Sequence, residues 1–513
     1  MTRAPPVEHA LIKPGTMQAR EYQTGILRTA LSRNTLCVLP TGLGKTNIAV
    51  LLAAHRLEEH PESRAMILAP TRPLVSQHYR TFMRHMNLED VELSVVTGTM
   101  KPAERQRVYN DRIVRIIFAT PQTARNDLAS GILSLENFSL LVIDETHHSV
   151  GMYAYPHVVR KYREQARNQR ILGLTASPGS DHAKIREVMR NTGLEAVEIR
   201  TEEEHDVSPY VMERETKWVY VELPESFRKV RSLISGALEQ KVASLRRTGL
   251  IRGSRTSRKQ LLELQARLAS GIREGYRPAF TGMLLVNQAI KLEHALTLIE
   301  TQGIGVLEAY WRKIRTGRTK ADRALSGNKE VSGAMFLTNS LHGEGARHPK
   351  VARLLTLVSQ QFRDMPESRI IVFANYRDSV REIASSLAQV RGARPVEFMG
   401  QREGMTQREQ ASRLRDFSSG LYNVLVCTSI GEEGLDIPSM DLAIFYEPVP
   451  SGIRSIQRRG RVGRQSVGRV VFLITKGTRD EAYYWAAQRK EKGMKSALYG
   501  MRHAGSLEQF SGG

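Results

Sequence analysis

The chain has 513 residues, more than one hydrophobic core usually supports, so we expect two or three domains. Lys and Arg outnumber Asp and Glu by 75 to 53, and the net charge of +22 favours a polyanionic partner, nucleic acid before acidic membrane. No run reaches the ~18 apolar residues of a membrane helix, the N-terminus lacks the apolar core of a signal peptide, and two cysteines do not make a disulfide framework, so we expect a cytoplasmic protein, nucleoid-associated in a prokaryote.

Two series of short apolar runs predict two α/β lobes. Each run is rich in β-branched residues and ends at a turn or polar residue, which is typical of buried parallel strands. The first series lies at 35–40, 65–70, 93–98, 115–120, 140–145 and 171–176, and the second at 369–375, 395–400, 424–429, 442–447 and 469–474. The predicted lobes span 1–200 and 341–490, with ligand-binding groups at the carboxyl ends of their strands.

A helical insertion is predicted between the lobes, at 201–340. From 226 onward it shows apolar positions at helical spacing, with breaks near 252–259 and 315–320. Residues 226–330 hold 21 Lys and Arg against 8 Asp and Glu, so this segment is the expected grip on nucleic-acid phosphates. The alternative is a basic helical domain that only packs against the core. Residues 491–513 are predicted to be a C-terminal tail.

The stretch LPTGLGKT (39–46) follows a predicted strand and precedes a helical pattern. Gly42 and Gly44 would let the backbone turn tightly and point N–H groups at phosphates. Lys45 would reach the β- and γ-phosphates, and Thr46 would ligate Mg²⁺. Leu39 occupies the place of the usual first glycine, but the sequence resembles motif I of superfamily 2 helicases, which often dispense with it. The implied nucleotide-binding set is Thr41, Gly42, Gly44, Lys45 and Thr46.

The stretch VIDETHH (142–148) places two carboxylates at the end of an apolar strand. Asp144 can hold Mg²⁺ through water, and Glu145 can orient and deprotonate the attacking water. His147 and His148 raise the alternative of a zinc site, although neither a His-Glu-x-x-His spacing nor a third ligand is nearby. The Asp-Glu-x-His form resembles the DExH helicases, which implies ATP and Mg²⁺ as cofactors.

The second lobe carries QRRGRVGR (457–464), which resembles helicase motif VI. The resemblance implies that Arg461 and Arg464 are arginine fingers for the transferred phosphoryl group and that Gln457 lines the same cleft. The stretch TSIGEEGLDIP (428–438) resembles motif V, which implies that Gly434 and Asp436 approach the nucleotide.

Further stretches resemble helicase motifs in the expected order. REYQ (20–23) resembles a Q-motif with Gln23 reading adenine, and TASP (175–178) resembles motif III, which couples the ATP site to the nucleic-acid site. The stretches at 69–77, 97–98 and 119–123 resemble motifs Ia, Ib and Ic, whose contacts to phosphates carry no base information. The implied coupling residues are His147, Thr175 and Ser177; the implied nucleic-acid residues are Pro70, Thr71, Arg72, Thr97, Gly98, Thr120, Pro121 and Thr428.

The stretches at 398–401, 404–410, 424–464 and 476–485 resemble archaeal Hef helicase and its eukaryotic relative, the Fanconi anaemia group M translocase. The resemblance implies two RecA-like lobes of α/β fold with a basic, thumb-like helical insertion. Hef continues into an XPF-type nuclease, whose Glu-Arg-Lys-x-x-x-Asp signature this sequence does not contain. Nuclease activity is therefore not carried over.

The sequence predicts an ATP-dependent translocase or helicase that acts on forked or branched DNA in repair and replication restart. One alternative is an RNA helicase or a double-stranded-RNA-stimulated ATPase, because backbone contacts do not discriminate the 2′-OH. Another is a non-hydrolysing scaffold for a separate nuclease, although the residues whose loss would mark it are present. A sliding clamp is a further candidate partner, since Leu507 and Phe510 have the spacing of clamp-binding peptides; the alternative is a frayed terminus.

Overall fold

The computed structural model describes residues 4–176, 182–211, 214–252, 256–274, 278–400, 404–428, 440–447 and 468–503. Within them, two parallel β-sheets are separated in sequence by a helical bundle. The described helices include none that combines the length and apolarity needed to cross a bilayer.

The first lobe is a seven-stranded parallel sheet with helices on both faces. Its strands are β1 (Thr35–Val38), β2 (Arg64–Leu68), β3 (Leu93–Val96), β4 (Ile116–Ala119), β5 (Phe138–Ile143), β6 (Ile171–Thr175) and β7 (Ala196–Ile199), in the spatial order β3-β4-β2-β5-β6-β1-β7. Its helices are α1 (Glu21–Ser32), α2 (Lys45–Glu59), α3 (Arg72–His85), α4 (Pro102–Asn110), α5 (Pro121–Ala129), α6 (Ala154–Gln165) and α7 (His182–Thr192). One core forms under α1, α2 and α3, and the other under α4 to α7.

The insertion is a bundle of six helices with its own apolar core around the buried Trp311. The helices are α8 (Glu225–Arg247), α9 (Arg258–Arg273), α10 (Pro278–Thr301), α11 (Ile304–Arg315), α12 (Lys320–Ser326) and α13 (Lys329–Gly343). Helix α8 ends at Arg247 and α9 begins at Arg258, and α11 ends at Arg315 and α12 begins at Lys320, so both helix boundaries lie close to the predicted breaks.

The second lobe is a six-stranded parallel sheet in the order β10-β11-β9-β12-β13-β8. Its strands are β8 (Arg214–Val221), β9 (Ile370–Phe373), β10 (Pro395–Phe398), β11 (Val424–Cys427), β12 (Leu442–Phe445) and β13 (Gly468–Thr475). Its helices are α14 (Pro349–Asp364), α15 (Arg377–Leu387), α16 (Gln407–Ser418) and α17 (Arg479–His503), and α17 packs on β13 and reaches β7 of the first lobe.

All eleven runs predicted as strands overlap one, but the sequence pattern did not predict β7 and β8, each of which forms one edge of its sheet. Both strands are partly exposed and interleave apolar residues with charged ones, as in the RETKWVYV of β8. The interval 201–340 therefore begins with a strand of the second sheet, and its helices start only at Glu225. Helix α17 likewise continues to His503, into the segment predicted to be a tail.

Both cysteines are buried free thiols, in agreement with the absence of a disulfide framework. Cys37 lies in β1 and Cys427 in β11. Burial raises the pKa of the Cys37 thiol to about 12, so this thiol stays protonated and unreactive at neutral pH.

Candidate active site

The loop after β1 shows why Leu39 can replace a glycine. Leu39 continues the strand, because its N–H donates to Thr175 O (3.1 Å) and its side chain is fully buried in the core. The positive φ angles come later, at Gly42 (+88°) and Gly44 (+77°), immediately before α2 begins at Lys45. The glycines that the turn requires are therefore the two that the sequence retains.

Helix α1 braces this loop from behind. Tyr22 Oη donates to Leu43 O (2.7 Å), and Gln23 Nε2 donates to the same carbonyl (3.2 Å). A Cβ at Gly44 would lie 2.6 Å from Gln23 Nε2, so the two residues are in direct contact. Lys45 Nζ donates to Leu39 O (2.9 Å), across the loop. The structure thus places Gln23 at the loop, while its contact with adenine stays a prediction.

Asp144 lies at the end of β5 and is 6% exposed. His78 Nε2 donates to its Oδ2 (2.8 Å), and the Glu145 N–H donates to its Oδ1 (2.9 Å). Burial raises the pKa of this carboxyl, but the charges of His78 and Lys45 and the two hydrogen bonds outweigh it, so the pKa is below its usual value. Asp144 is therefore held ionised, as a magnesium ligand must be.

Glu145 is the only non-glycine residue with a positive φ in the described part of the chain (φ +47°, ψ +50°). This left-handed conformation costs about 1–2 kcal/mol, which the surrounding contacts must offset. Its Oε2 lies 3.3 Å from His147 Nδ1, and that nitrogen lies 3.2 Å from Thr175 Oγ1 at the end of β6. The predicted base and the predicted coupling residues His147 and Thr175 are thus brought together.

The turn between these residues is fixed to β6. Thr146 Oγ1 is within hydrogen-bonding distance of Ile143 O (2.8 Å) and Leu174 O (3.0 Å). A Cβ at Gly173 would lie 2.9 Å from Thr146 Oγ1, so the close approach requires glycine at this point of the strand. Thr146 therefore attaches the turn that carries Glu145 to β6.

The zinc alternative for His147 and His148 finds no support in the described residues. Their rings lie 4.3 Å apart, and His148 stacks on Tyr153, but no set of three His, Cys, Asp or Glu ligand atoms converges there. The charge of Lys45 acts on the ionised Asp144, so the phosphate loop and the end of β5 lie side by side.

The predicted nucleic-acid residues of the first lobe follow three neighbouring strands. Pro70, Thr71 and Arg72 follow β2, Thr97 and Gly98 follow β3, and Thr120 and Pro121 follow β4, so the structure brings them to one edge of the sheet. Arg72 is exposed. The hydroxyls of Thr71, Thr97 and Thr120 make local contacts, to Leu74 N (3.5 Å), Thr99 Oγ1 (2.7 Å) and Thr123 Oγ1 (2.8 Å).

In the second lobe, Thr428 follows β11 and is 1% exposed. Its N–H donates to Phe398 O (3.1 Å). The other predicted site residues of this lobe lie outside the described residues, as do Ser177 and the tail at 504–513. These second-lobe residues are Gly434, Asp436, Gln457, Arg461 and Arg464.

Three residues at this site were missed by the sequence analysis: Tyr22, His78 and Tyr155. Tyr155 Oη donates to Asp144 O (2.6 Å), while Tyr22 and His78 make the contacts described above. His78 did leave a signal, because it lies on the buried stripe of α3 with Val75 and Phe82. A histidine at a core position of an amphipathic helix needs a polar partner, and the end of β5 supplies one.

The chain matches three family models. They are described as "DEAD/DEAH box helicase" over residues 20–185, "Putative ATP-dependent RNA helicase, helical bundle" over 226–339 and "Helicase conserved C-terminal domain" over 349–466. The three matches follow the order of the first lobe, the insertion and the second lobe.

Curated relatives align along nearly the whole chain. A protein of Methanocaldococcus jannaschii named "Putative ATP-dependent RNA helicase" is 40% identical over 96% of this chain and 62% of its own length. A Fanconi anemia group M protein homolog of Mus musculus is 32% identical over 98% of this chain and 27% of its own length. An ATP-dependent DNA helicase of Pyricularia oryzae is 33% identical over 94% of this chain and 46% of its own length. The chain thus spans less than two thirds of each of these relatives.

Among solved structures, the Pyrococcus furiosus Hef helicase domain is similar to this chain with a TM-score of 0.71 and 43% identity. The match covers 91% of this chain and 98% of that domain. The predicted resemblance to Hef and the Fanconi anaemia group M proteins is confirmed, as is the fold of two RecA-like lobes with a helical insertion.

Proposed function

The chain belongs to the DEAD/DEAH box ATP-dependent helicases, in the group of Hef and the Fanconi anaemia group M proteins, and from this premise we propose that it is a translocase acting on forked or branched DNA in repair and replication restart. The observation that carries the proposal is the set of ion pairs between buried carboxylates of the basic insertion and the second lobe.

The ATP half of the proposal rests on the loop of α2 and the end of β5. Lys45 would bind the β- and γ-phosphates, and Glu145, held by its turn beside His147, would accept the proton of the attacking water. Thr46 and Asp144 would hold Mg²⁺, which would offset charge on the phosphates when bound. Arg461 and Arg464 would contribute from the second lobe, so hydrolysis would require the lobes to close.

Two buried carboxylates on α10 tie the insertion to the second lobe. Arg479, at the start of α17, donates to Glu300 (3.1 Å) and lies 3.4 Å from Glu293. Arg231 of α8 donates to the other oxygen of Glu300 (2.7 Å) and to Gly477 O (3.1 Å). The Glu300 and Glu293 side chains are only 3% and 8% exposed. The arginine side chains are more exposed, at 24% for Arg479 and 38% for Arg231, so removing one of them should cost less than breaking a fully buried pair but would leave a buried carboxylate with one partner fewer.

A second set of contacts lies at the C-terminal end of α10. His348, before α14, donates to Glu300 O (3.2 Å), and Ser379 of α15 hydrogen-bonds Gln302. Beneath them, the fully buried Lys350 pairs with Asp480 and donates to Tyr446 O (2.7 Å). These contacts support a motor in which the insertion and the second lobe move as one body when ATP closes the lobes.

The outer surface of the insertion is strongly basic, which suits a duplex arm at the branch point. Its exposed cations include Arg247, Arg252, Lys259, Arg267 and Lys313. The deciding experiment compares ATPase stimulation by forked DNA, linear duplex DNA and double-stranded RNA. The proposal expects the fork to stimulate most, and equal stimulation by linear duplex and fork would contradict it.

The same experiment can test the insertion. Replacing Arg247, Arg252 and Lys259 with Gln should lower fork affinity and flatten its salt dependence, because each lost phosphate contact removes about 0.9 from the slope of log K against log salt. The matched control is Arg160→Gln with Arg167→Gln, two exposed cations of the first lobe (64% and 70%). An unchanged slope in the insertion variant would show that these cations face solvent in the complex.

An RNA helicase is the second candidate, because the matched helical-bundle model and the Methanocaldococcus relative carry RNA helicase names. Stimulation by double-stranded RNA above forked DNA would favour it. A scaffold without hydrolysis would show no stimulation by any nucleic acid. Binding of a sliding clamp through Leu507 and Phe510, and recruitment of a separate nuclease, stay predictions; titrating a peptide of residues 498–513 against the clamp tests the former.

A further inference from the structure

Two of the three tryptophans lie half exposed on the second lobe. Trp218 of β8 is 49% exposed and Trp485 of α17 is 47% exposed, with Tyr220 of β8 at 47%. The third tryptophan, Trp311, is fully buried in the insertion. We call Trp218, Tyr220 and Trp485 the aromatic patch. Large apolar rings exposed together in this way indicate a binding surface.

The rings of the aromatic patch are held in place from below. Trp218 and Tyr220 are two apart on the edge strand, and their partners across the ladder are Phe472 and Ile474 of the core. Tyr484, only 5% exposed, packs between the two tryptophans and the core. Its ring centroid lies 6.4 Å from that of Trp218, 5.1 Å from that of Trp485 and 5.6 Å from that of Phe472. Because these rings are already packed against the core, a ligand that stacks on them would pay little entropy for ordering side chains.

Exposed cations continue the patch along α17. Arg489 and Lys492 follow Trp485 by four and seven residues, so they lie on the same stripe of the helix. Three neighbouring carboxylates whose side chains are described are engaged: Glu215 pairs with Lys217 (2.8 Å), Glu222 lies 3.8 Å from Lys476, and Glu481 accepts from Gly477 N (2.9 Å). Aromatic rings beside aligned cations suit a ligand with flat bases and phosphates.

We propose that the aromatic patch, with Arg489 and Lys492, binds single-stranded nucleic acid by base stacking. Stacking is available to every base, and the cations would follow the backbone, which is how non-specific single-strand sites work. The patch contains none of the residues of the predicted track at the ends of β2, β3 and β4. It goes beyond the proposed function, because it gives the strand displaced at a fork a place of its own on the motor.

The test uses the tryptophans as reporters. Titrating the full chain with oligo(dT) of about six nucleotides, a length suited to a single stacking platform, should quench tryptophan fluorescence. The quenching must come from Trp218 or Trp485, because Trp311 is sequestered in the core. Trp218→Ala and Trp485→Ala should each weaken binding by about 5- to 150-fold, the loss of one stacked base. Trp485→Phe should retain most of the affinity.

Phe336→Ala is the matched control, since this ring is 73% exposed but lies on α13 of the insertion. It should leave both quenching and affinity unchanged, and no variant should alter ATP hydrolysis in the absence of nucleic acid. Absent quenching, or an affinity that survives loss of both tryptophans, would overturn the proposal. So would a dimer of the wild-type chain that these substitutions dissociate, because the patch would then pair two copies.

The failure of this proposal is distinguishable from failure of the proposed function. Fork-stimulated ATP hydrolysis is measured on the same samples. Strong stimulation with unchanged oligo(dT) binding in the patch variants refutes the aromatic patch alone. Loss of stimulation by every DNA in the wild type refutes the proposed function, whatever the patch binds.

Discussion

Substitution of Gly44 with Ala tests how α1 and the phosphate loop are joined. Gly44 has a φ of +77°, a conformation that costs a residue with a Cβ about 1–2 kcal/mol. The new Cβ would also lie 2.6 Å from Gln23 Nε2, so Gln23 must move. Movement breaks its hydrogen bonds to Leu43 O (3.2 Å) and Tyr22 Oη (3.4 Å), at about 0.5–1.5 kcal/mol each. We therefore expect Gly44→Ala to destabilise the loop by about 2–5 kcal/mol.

Gly42→Ala is the matched control, because Gly42 has a φ of +88° but no atom within 4 Å of an added Cβ. It should cost only the conformational part, about 1–2 kcal/mol. In a Gln23→Ala background only Asn47, whose Nδ2 would lie 3.3 Å from the added Cβ, remains close, so Gly44→Ala should there cost little more than the control. The double-mutant cycle isolates the contact between the two residues.

The measurement is hydrogen exchange of the α2 amides, followed by mass spectrometry, because local opening reports on the loop itself. A global melting curve is less suitable, since a chain with two lobes and a helical insertion, each with its own core, need not unfold in one step. Equal costs for Gly44→Ala with and without Gln23, or equal costs at Gly42 and Gly44, would refute the assigned contact. Binding of a fluorescent ATP analogue should weaken in parallel with the exchange data.

Three further predictions concern buried carboxylates and their partners. Glu145→Gln should keep ATP binding while lowering turnover by at least ~100-fold, the effect of a lost general base, and unchanged turnover would contradict the assignment. His78→Ala should lower the free energy of unfolding of the first lobe by about 1.5–3 kcal/mol in urea titrations, because Asp144 loses a charged hydrogen bond, while His78→Asn should lose less. Burial raises the pKa of Glu447 from 4.5 to about 7 against the opposing charge of Lys350. The folded state therefore keeps a proton that the unfolded state releases, so stability should fall as pH rises from about 4.5 to 7 and level off above; Glu447→Gln should remove this decline, and an identical pH profile would contradict it.

The strands and loops of the active site could be predicted because their residues signal locally. A buried parallel strand is a continuous apolar run, and the phosphate loop needs glycines at fixed positions. The sequence therefore predicts both β1 and the turn at Gly42 and Gly44. The pairing of His78 with Asp144 could not be predicted, because it joins residues that are 66 apart in sequence. The edge strand β8 was missed for another reason, since half-exposed strands dilute their pattern with charged residues.

The anchoring of the insertion was also invisible in the sequence. Arg479 and Glu300 are 179 residues apart, and nothing in the charge pattern of 226–330 distinguishes the buried Glu300 from exposed carboxylates. The excess of positive charge predicted a nucleic-acid surface, but two of the eight acidic residues of this segment, Glu293 and Glu300, form the joint. Composition therefore predicts a basic surface on the insertion, but it cannot predict which residues attach the insertion to the second lobe.

The position of β8 means that the helical insertion begins and ends in the second lobe. Because β8 precedes the bundle and α14 follows it, both ends of the bundle are attached to the second lobe, and the backbone passes from the first sheet to the second between Ile199 and Arg214. A bundle from another relative could therefore be grafted between β8 and α14 without altering that passage. A chain divided between β7 and β8 would yield two fragments, each with a complete sheet. Helix α17 contacts β7, so this contact would contribute to reassociation of the two fragments.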